Sequence, residues 1–388
     1  MESTVLRGTD ISAYDRVVRA LRTELGDDAV LTAPHLTVAP RSAEEVRAAV
    51  RIAGAHRVGV DPRRMNRVLD VDPLRARAVV EPGTRWSDLY EALARTGGDL
   101  WIPVPDLGWD GVIGDGLAPG VGYSRDREHL AGLCGTHRTS GVVTGISWRL
   151  ARRPEVYTEC RAGFTGPRAL SRVLDALRDP RLRRTVDGPV VLTRGFDFDE
   201  NGVGGVDPDG DGWVARFRMC GTATAVDAGY AKAAEILLRA AGVRLSRRTF
   251  EGDDVAEAAR LDERLRGAVP DMDLREPAVL PHGEGTAHLD FTPLGPGSGA
   301  TTARADEVAR ARCARHGRTC VSTVVIRPRG THHHITTVFF NPRDERQVRS
   351  VHDCYAGLVE ELAVGGHAPY RTNVRGADLV GPLPRHVC

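Results

Sequence analysis

The chain of 388 residues carries almost no net charge, and nearly all of its basic residues are arginine. A formal net charge of +1 gives no field that would draw the protein to nucleic acid or to an acidic membrane. No run approaches the roughly 20 apolar residues that a membrane-spanning helix needs. The N-terminal residues lack the apolar core of a secretory signal peptide, so we expect a cytoplasmic protein without nucleic-acid or membrane partners.

The seven cysteines form no recognisable disulfide or zinc pattern. Their number is odd and no two have Cys-x-x-Cys spacing, which favours reduced thiols in a cytoplasm. The Gly-x-Ser-x-Gly, P-loop and His-Glu-x-x-His motifs are also absent. The glycines between 114 and 122 do not match the dinucleotide-binding fingerprint, because no strand–turn–helix pattern surrounds them.

Two domains are expected from the length, and the pattern of elements changes near residue 150. Before it, apolar spacing predicts a helix over residues 14–25, and a capping box at Ser42–Glu45 starts a helix that ends near His56. Ser87 is the predicted N-cap of a helix that ends at Arg95. Strand–helix–strand order in this part is typical of an α/β layer.

After residue 150 the pattern favours an antiparallel sheet with helices on one face, and the protein as a whole is predicted to be α+β. The predicted helices of this part cover residues 166–177, 224–241, 303–315 and 345–363.

A glycine-rich stretch from Trp101 to Cys134 has seven glycines and three prolines but also many ionisable residues. Long irregular segments inside a compact chain are usually functional, and glycine lets the backbone approach a ligand. Asp106 follows a proline there, so its carboxylate lies on a constrained loop. The alternative is a glycine-rich connection between two layers.

Two segments suggest metal ligands, and for both we favour a structural interpretation. Asp207–Gly212 resembles the start of a calcium loop, but the twelfth position is Arg218, which cannot ligate. His332 and His334 share one face of a predicted strand and His333 takes the other, so too few imidazoles converge for a metal site.

Tyr370 and Arg371 place a phenol beside a guanidinium, which could together hold an anionic oxygen. The alternative is an ordinary surface pair. His288 lies near the start of a predicted strand that follows a glycine-containing loop. A single histidine in such a position more often has a structural role than a functional one.

Four segments together resemble the family of vanillyl-alcohol oxidase and 4-cresol dehydrogenase, which are FAD-linked oxidases. They keep the order and spacing of the family, and they cover residues 63–86, 105–129, 285–294 and 367–375. The resemblance implies a shortened PCMH-type FAD-binding domain over residues 1–150 and a cap domain over residues 151–366. It also implies that residues 367–388 return to the first domain and that a homodimer can form.

The resemblance also implies roles for single residues. Asp106 corresponds to an acidic residue beside the flavin N5, and Tyr370 and Arg371 correspond to residues that bind a substrate phenolate. A phenolate pushes electrons toward its para carbon, which makes the departure of hydride to FAD easier. His288 corresponds to a histidine that attaches the flavin covalently. The other implied cofactor-binding residues are Pro82, Gly83, Gly114, Asp115, Gly120, Gly122, Tyr123 and Val143.

One departure from the family concerns the FAD pyrophosphate. In the family a glycine-rich loop wraps the pyrophosphate, but here Val58–Val60 runs directly into Asp61, and that loop is missing. Arg63 and Arg64 could supply phosphate contacts instead. We expect an FAD-linked oxidoreductase acting on a small phenol-like or alcohol substrate. The alternatives are a flavin-free descendant that uses the pocket for acid–base chemistry, and a non-catalytic binding subunit.

Overall fold

The structure is a computed structural model that describes residues 11–32, 36–53, 58–97, 100–102, 113, 142–195, 210–252, 254–255, 287–295, 297–326 and 331–369. The described residues form two compact units, the first ending at Arg153 and the second beginning at Pro154. The predicted return of residues 367–388 to the first domain stays a prediction, because residues 370–388 lie outside the described part. None of the described helices is long and apolar enough to cross a membrane.

The first unit combines three helices with short strands. The helices are α1 (Ile11–Leu25), α2 (Ala43–Ala53) and α3 (Trp86–Arg95). The strands are β1 (Val30–Leu31), β2 (Thr37–Val38), β3 (Gly59–Val60), β4 (Val68–Asp72), β5 (Arg77–Val80), β6 (Leu100–Trp101), β7 (Ile146–Arg149) and β8 (Ala151–Arg152).

The strand–helix–strand order predicted for this unit is present. Strands β2 and β3 are parallel, as expected for strands joined through a helix, and β1 pairs antiparallel with β2. The apolar face of α1 supplies Val18, Leu21 and Leu25 to a core that includes Val38 of β2 and Ala49 of α2. Helical spacing and strand propensity therefore predicted this layer.

A second three-stranded sheet in the first unit has β5 in the middle, antiparallel to both β4 and β7. Helix α3 begins at Trp86, and the indole rings of Trp86 and Trp148 meet edge to face with centroids 4.9 Å apart. The prediction that Ser87 caps this helix was wrong. Asp88 accepts a hydrogen bond from the amide of Arg85 instead, so the helix starts earlier.

The second unit contains a nine-stranded sheet and five helices among the described residues. The helices are α4 (Pro167–Leu177), α5 (Pro180–Arg183), α6 (Ala223–Ala241), α7 (Gly299–Arg315) and α8 (Glu345–Ala363). The strands are β9 (Val156–Thr165), β10 (Asp187–Arg194), β11 (Gly212–Gly221), β12 (Ser246–Glu251), β13 (Ala287–Phe291), β14 (Pro293–Gly295), β15 (Cys320–Ile326), β16 (His332–Phe340) and β17 (Ala368–Pro369).

The strand order is β12-β9-β11-β10-β15-β16-β14-β17, with β13 also paired to β16, and all of these pairs are antiparallel. Helices α4 and α6 bury apolar side chains such as Leu174 and Leu237 against one face of the sheet. On the same face, α7 and α8 pack Ala309 and Leu358 against β13, β15 and β16. The predicted antiparallel sheet covered by helices is confirmed, and so is the α+β class.

Side chains alternate between the two faces of this sheet. Leu289 and Phe291 of β13 face the helices, so His288 and Asp290 lie on the opposite face. We call that opposite face the helix-free face, because the described helices of this unit pack on the other one. Its apolar part is a small cluster of Val191, Val325 and Ile335.

Candidate functional site

The predicted site residues divide into those the structure describes and those it does not. Pro82, Gly83, Val143 and His288 are described. The residues that lie outside the described part are Asp106, Gly114, Asp115, Gly120, Gly122, Tyr123, Tyr370 and Arg371. Their roles, and the meeting of Asp106 with Arg371 in one cavity, stay predictions.

The turn Glu81-Pro82-Gly83 is buried and follows β5 directly. The Gly83 amide donates to the carbonyl of Met65 over 2.7 Å. A Cβ on Gly83 would lie 2.7 Å from that same oxygen and 2.9 Å from the Cα of Arg63, so only glycine fits here. The turn is therefore packed tightly against residues 62–65.

Hydrogen bonds between the buried Glu81 carboxylate and Arg67 stabilise this turn. Its carboxylate accepts three hydrogen bonds from Arg67, one from the amide at 2.9 Å and two from the guanidinium at 2.7 and 3.1 Å. These bonds hold the pKa of Glu81 below its usual value although the side chain is buried. The amide of Ile113, in the glycine-rich stretch, donates to the carbonyl of Thr84 over 2.8 Å. Ile113 is thereby held against this turn.

Residues 61–65, which take the place of the missing glycine-rich loop, form a compact 3-10 turn over Pro62–Arg64. The amide of Arg63 donates to the Asp61 carboxylate over 3.0 Å, and the amide of Met65 donates to the carbonyl of Pro62 over 2.8 Å. These amides, like that of Gly83, already have acceptors within the protein. They do not form the cradle of free N–H groups that usually holds a pyrophosphate.

The side chains of Arg63 and Arg64 are the groups of this turn that fit a diphosphate. Arg63 pairs with Asp61 at 2.9 Å and Arg64 with Asp28 at 2.9 Å. Surface ion pairs of this kind contribute about 0–1 kcal/mol, so exchanging a carboxylate for a phosphate costs little. Any contact of this turn with an FAD pyrophosphate would therefore come from these two side chains, and that contact stays a prediction. Val143, also predicted to bind the cofactor, is half-buried in residues 142–145, which precede β7.

His288 lies on the helix-free face with 28% of its side chain exposed. Its Nε2 atom is 3.6 Å from Oδ2 of Asp290, two residues further along β13. The other carboxylate oxygen of Asp290 accepts a hydrogen bond of 2.6 Å from the Thr337 hydroxyl on β16. A partly exposed imidazole therefore faces a carboxylate that is itself hydrogen-bonded to a hydroxyl, all on one face of the sheet.

The three consecutive histidines of β16 alternate as predicted. His332 and His334 pair with Ile326 and Val324, which face the helices, and His333 takes the other face. The Nδ1 atom of His332 is 2.6 Å from the hydroxyl of Thr302 on α7. Among the described residues, no group of three or more histidine, cysteine or acidic side chains is arranged to hold a metal ion.

A buried charged network beside these histidines was missed by the sequence analysis. Arg194 is fully buried, and its Nε atom is 3.3 Å from the carboxylate of Asp306, which also accepts a 2.5 Å hydrogen bond from Ser322. Burial opposes ionisation of Asp306, but His334 and Arg194 outweigh it and lower its pKa to about 2. The sequence contains one signal for this network. Helical spacing places Asp306 on the same face of α7 as Thr302 and Ala309, and that face is buried.

Comparisons with known proteins agree with this architecture. Residues 57–133 match the FAD binding domain family. The flavoprotein subunit of 4-cresol dehydrogenase (hydroxylating) from Pseudomonas putida is 20% identical over an alignment of 490 positions. The alignment covers 98% of this chain and 92% of that protein.

Solved structures show the same similarity. A 4-ethylphenol oxidase from Gulosibacter chungangensis, in complex with isoeugenol, has a TM-score of 0.70 and 20% identity over 97% of this chain and 92% of its own. A p-cresol methylhydroxylase with substrate bound has a TM-score of 0.72 and 18% identity over 98% of this chain and 94% of its own. The resemblance to the family of vanillyl-alcohol oxidase and 4-cresol dehydrogenase is confirmed over nearly the whole chain, together with the α+β fold of that family.

Proposed function

We propose that the protein is an FAD-linked oxidoreductase that oxidises a small phenolic or alcohol substrate by hydride transfer to flavin. The observation that carries the proposal is the full-length similarity to a 4-cresol dehydrogenase flavoprotein subunit. The match of residues 57–133 to an FAD binding domain supports the cofactor. The phenol-binding relatives support the substrate class.

The residues that would act on the substrate are Asp106, Tyr370 and Arg371. Arg371 and Tyr370 would donate charge-assisted hydrogen bonds to a phenolate oxygen, which stabilises the charge that helps hydride leave the carbon attached at the para position of the ring. Asp106 would move a proton on the substrate. When bound, flavin supplies the hydride acceptor that no side chain provides.

Arg63 and Arg64 would hold the FAD pyrophosphate by side-chain charge. Coulombic contacts at an exposed turn are screened by salt, so the affinity for FAD should fall steeply between low and physiological ionic strength. Cys313, Cys320 and Cys354 are free thiols, which supports a reducing, cytoplasmic location. A homodimer is part of the same proposal.

The test is an absorbance spectrum of the freshly purified protein, followed by anaerobic titration with a para-alkylphenol. We expect visible flavin absorbance that is bleached by the phenol. Arg371→Ala should weaken phenol binding by about 1.5–3 kcal/mol, while Arg343→Ala, an exposed arginine in the turn after β16, should leave it unchanged. A colourless protein that takes up no added FAD would contradict the proposal.

A flavin-free enzyme that uses the same pocket for dehydration, isomerisation or cyclisation is the second candidate. The observation that favours it is that the amides of Arg63, Met65 and Gly83 already donate within the protein. In that case the colourless protein would still turn over substrate, with Asp106 as the base. Asp106→Asn would abolish that turnover.

A further inference from the structure

His288 and Asp290 are the ionisable residues of β13, and both lie on the helix-free face. Residues two apart in a strand point to the same side, which brings their side chains together. The imidazole Nε2 and the carboxylate Oδ2 are 3.6 Å apart. About a quarter of the His288 side chain is exposed, so one edge of the ring can reach a ligand.

Asp290 is itself fixed by the neighbouring strand. The register of β13 on β16 pairs Asp290 with Thr337 and His288 with Phe339. The Thr337 hydroxyl donates to Oδ1 of Asp290 over 2.6 Å, and Oδ2 is then left to face the imidazole. The Phe339 ring lies beside His288 with its centroid 6.4 Å from that of the imidazole.

We propose that Asp290 and Thr337 are positioning residues that hold His288 with its proton on Nε2 and its lone pair on Nδ1. A carboxylate beside one ring nitrogen favours the tautomer in which that nitrogen carries the proton. The opposite nitrogen is then the electron-pair donor of this face. It is suited to accept the proton of an acidic O–H on a small aromatic ligand.

The same carboxylate increases the electron-donating power of Nδ1, as it does in histidines that bind metals. The three side chains therefore have the arrangement of a general base with its own orienting group. The identity of the ligand rests on the proposed function, in which His288 lies near the flavin. The orientation and reactivity of His288 do not depend on that function.

The first measurement is ¹⁵N NMR of the full chain, as purified, with labelled histidine. His288→Gln identifies the resonances of His288. We expect protonated Nε2 and unprotonated Nδ1 in the wild type. Asp290→Ala and Thr337→Val should shift both resonances toward a mixture of tautomers, and Thr337→Ser, which keeps the hydroxyl, should restore the wild-type spectrum.

The second measurement is the rate at which diethylpyrocarbonate modifies His288, read by mass spectrometry of a digest. His352 is an internal control, because it is exposed on α8 and is read from the same sample. We expect the His288 to His352 rate ratio to fall about tenfold in Asp290→Ala and several-fold in Thr337→Val. Melting curves establish that each variant is folded.

The proposal is overturned if wild-type His288 carries its proton on Nδ1, or if Asp290→Ala leaves both the tautomer and the rate ratio unchanged. Neither measurement requires flavin or turnover. A protein that binds no flavin but gives the expected spectra would overturn the proposed function and leave this inference intact.

Discussion

At Gly83 the backbone leaves no room for a side chain. The crowding comes from backbone atoms of residues 62–65, which cannot move aside as the end of a flexible side chain would. The φ angle of Gly83 is not in the left-handed region, so the requirement is steric. The glycine thus joins the end of β5 to the turn that carries Arg63 and Arg64.

Gly83→Ala should lower the free energy of unfolding by about 1–3 kcal/mol, the usual range for overpacking. The measurement is urea denaturation followed by tryptophan fluorescence, since Trp86 and Trp148 are buried in the same unit. Gly145→Ala is the matched control, because a Cβ there would meet no atom within 4 Å. Equal effects of the two substitutions would contradict the packing described here.

Asp306 compensates the charge of a fully buried arginine. Asp306→Asn keeps the size of the side chain but removes the carboxylate that lies 3.3 Å from Arg194 Nε, which should destabilise the second unit by about 3–5 kcal/mol. Asp353→Asn, on the exposed surface of α8, should change stability by less than about 0.5 kcal/mol. Thermal unfolding of both variants decides between a buried network and ordinary surface charges.

At the scale of elements, the start of α7 is pressed against α4. The amide of Gly299 donates to the Asp175 carboxylate over 2.8 Å, and Ser298 caps the helix by accepting from the amide of Thr301 over 3.1 Å. A Cβ on Gly299 would lie 2.8 Å from the carbonyl carbon of Ser171, in the backbone of α4. The two helices can approach this closely only because the residue is glycine.

Gly299→Ala should therefore push α4 and α7 apart and reduce the unfolding free energy by about 1–3 kcal/mol. Gly163→Ala, at an open position of β9, is the control in the same unit. Hydrogen exchange should show faster exchange of amides in α7 for the first variant alone. If exchange in α7 is unchanged, the approach of the helices does not depend on this glycine.

Across the whole molecule, acid sensitivity should come partly from buried histidines of the second unit. Burial, assisted by the charge of Arg178, lowers the pKa of His332 to about 4, and burial also lowers the pKa of His367. The unfolded chain, with a histidine pKa of about 6.5, binds protons more readily than the folded one. Stability is then full above pH 6.5 and is lost as the pH falls toward 4.

For His332 this loss amounts to about 3 kcal/mol at pH 4, from about 1.4 kcal/mol per pKa unit. Denaturation curves at several pH values should show a smaller acid-induced loss in His332→Gln than in the wild type. The side chain of glutamine can still reach the Thr302 hydroxyl, so the comparison isolates the titration. An identical pH dependence in both proteins would refute the assignment.

The sequence alone determined what depends on neighbours along the chain. Helical spacing predicted the apolar face of α1, and strand alternation placed His332 and His334 together. The family resemblance, carried by four short segments, predicted the α+β fold that the comparisons confirm. The sequence did not predict the N-cap of α3, because local preference favours Ser87, whereas the N-cap in the structure is Arg85, whose amide donates to the Asp88 carboxylate.

Only the tertiary structure decided which distant residues meet. Strand register brings Thr337 to Asp290, 47 positions apart, and helix packing brings Asp306 to Arg194. The meeting of Gly83 with residues 62–65 depends on how two turns fold back on each other. Hydrogen bonds and packing act over a few ångströms, whatever the separation along the chain, and that is why periodicity predicted the elements but not these contacts.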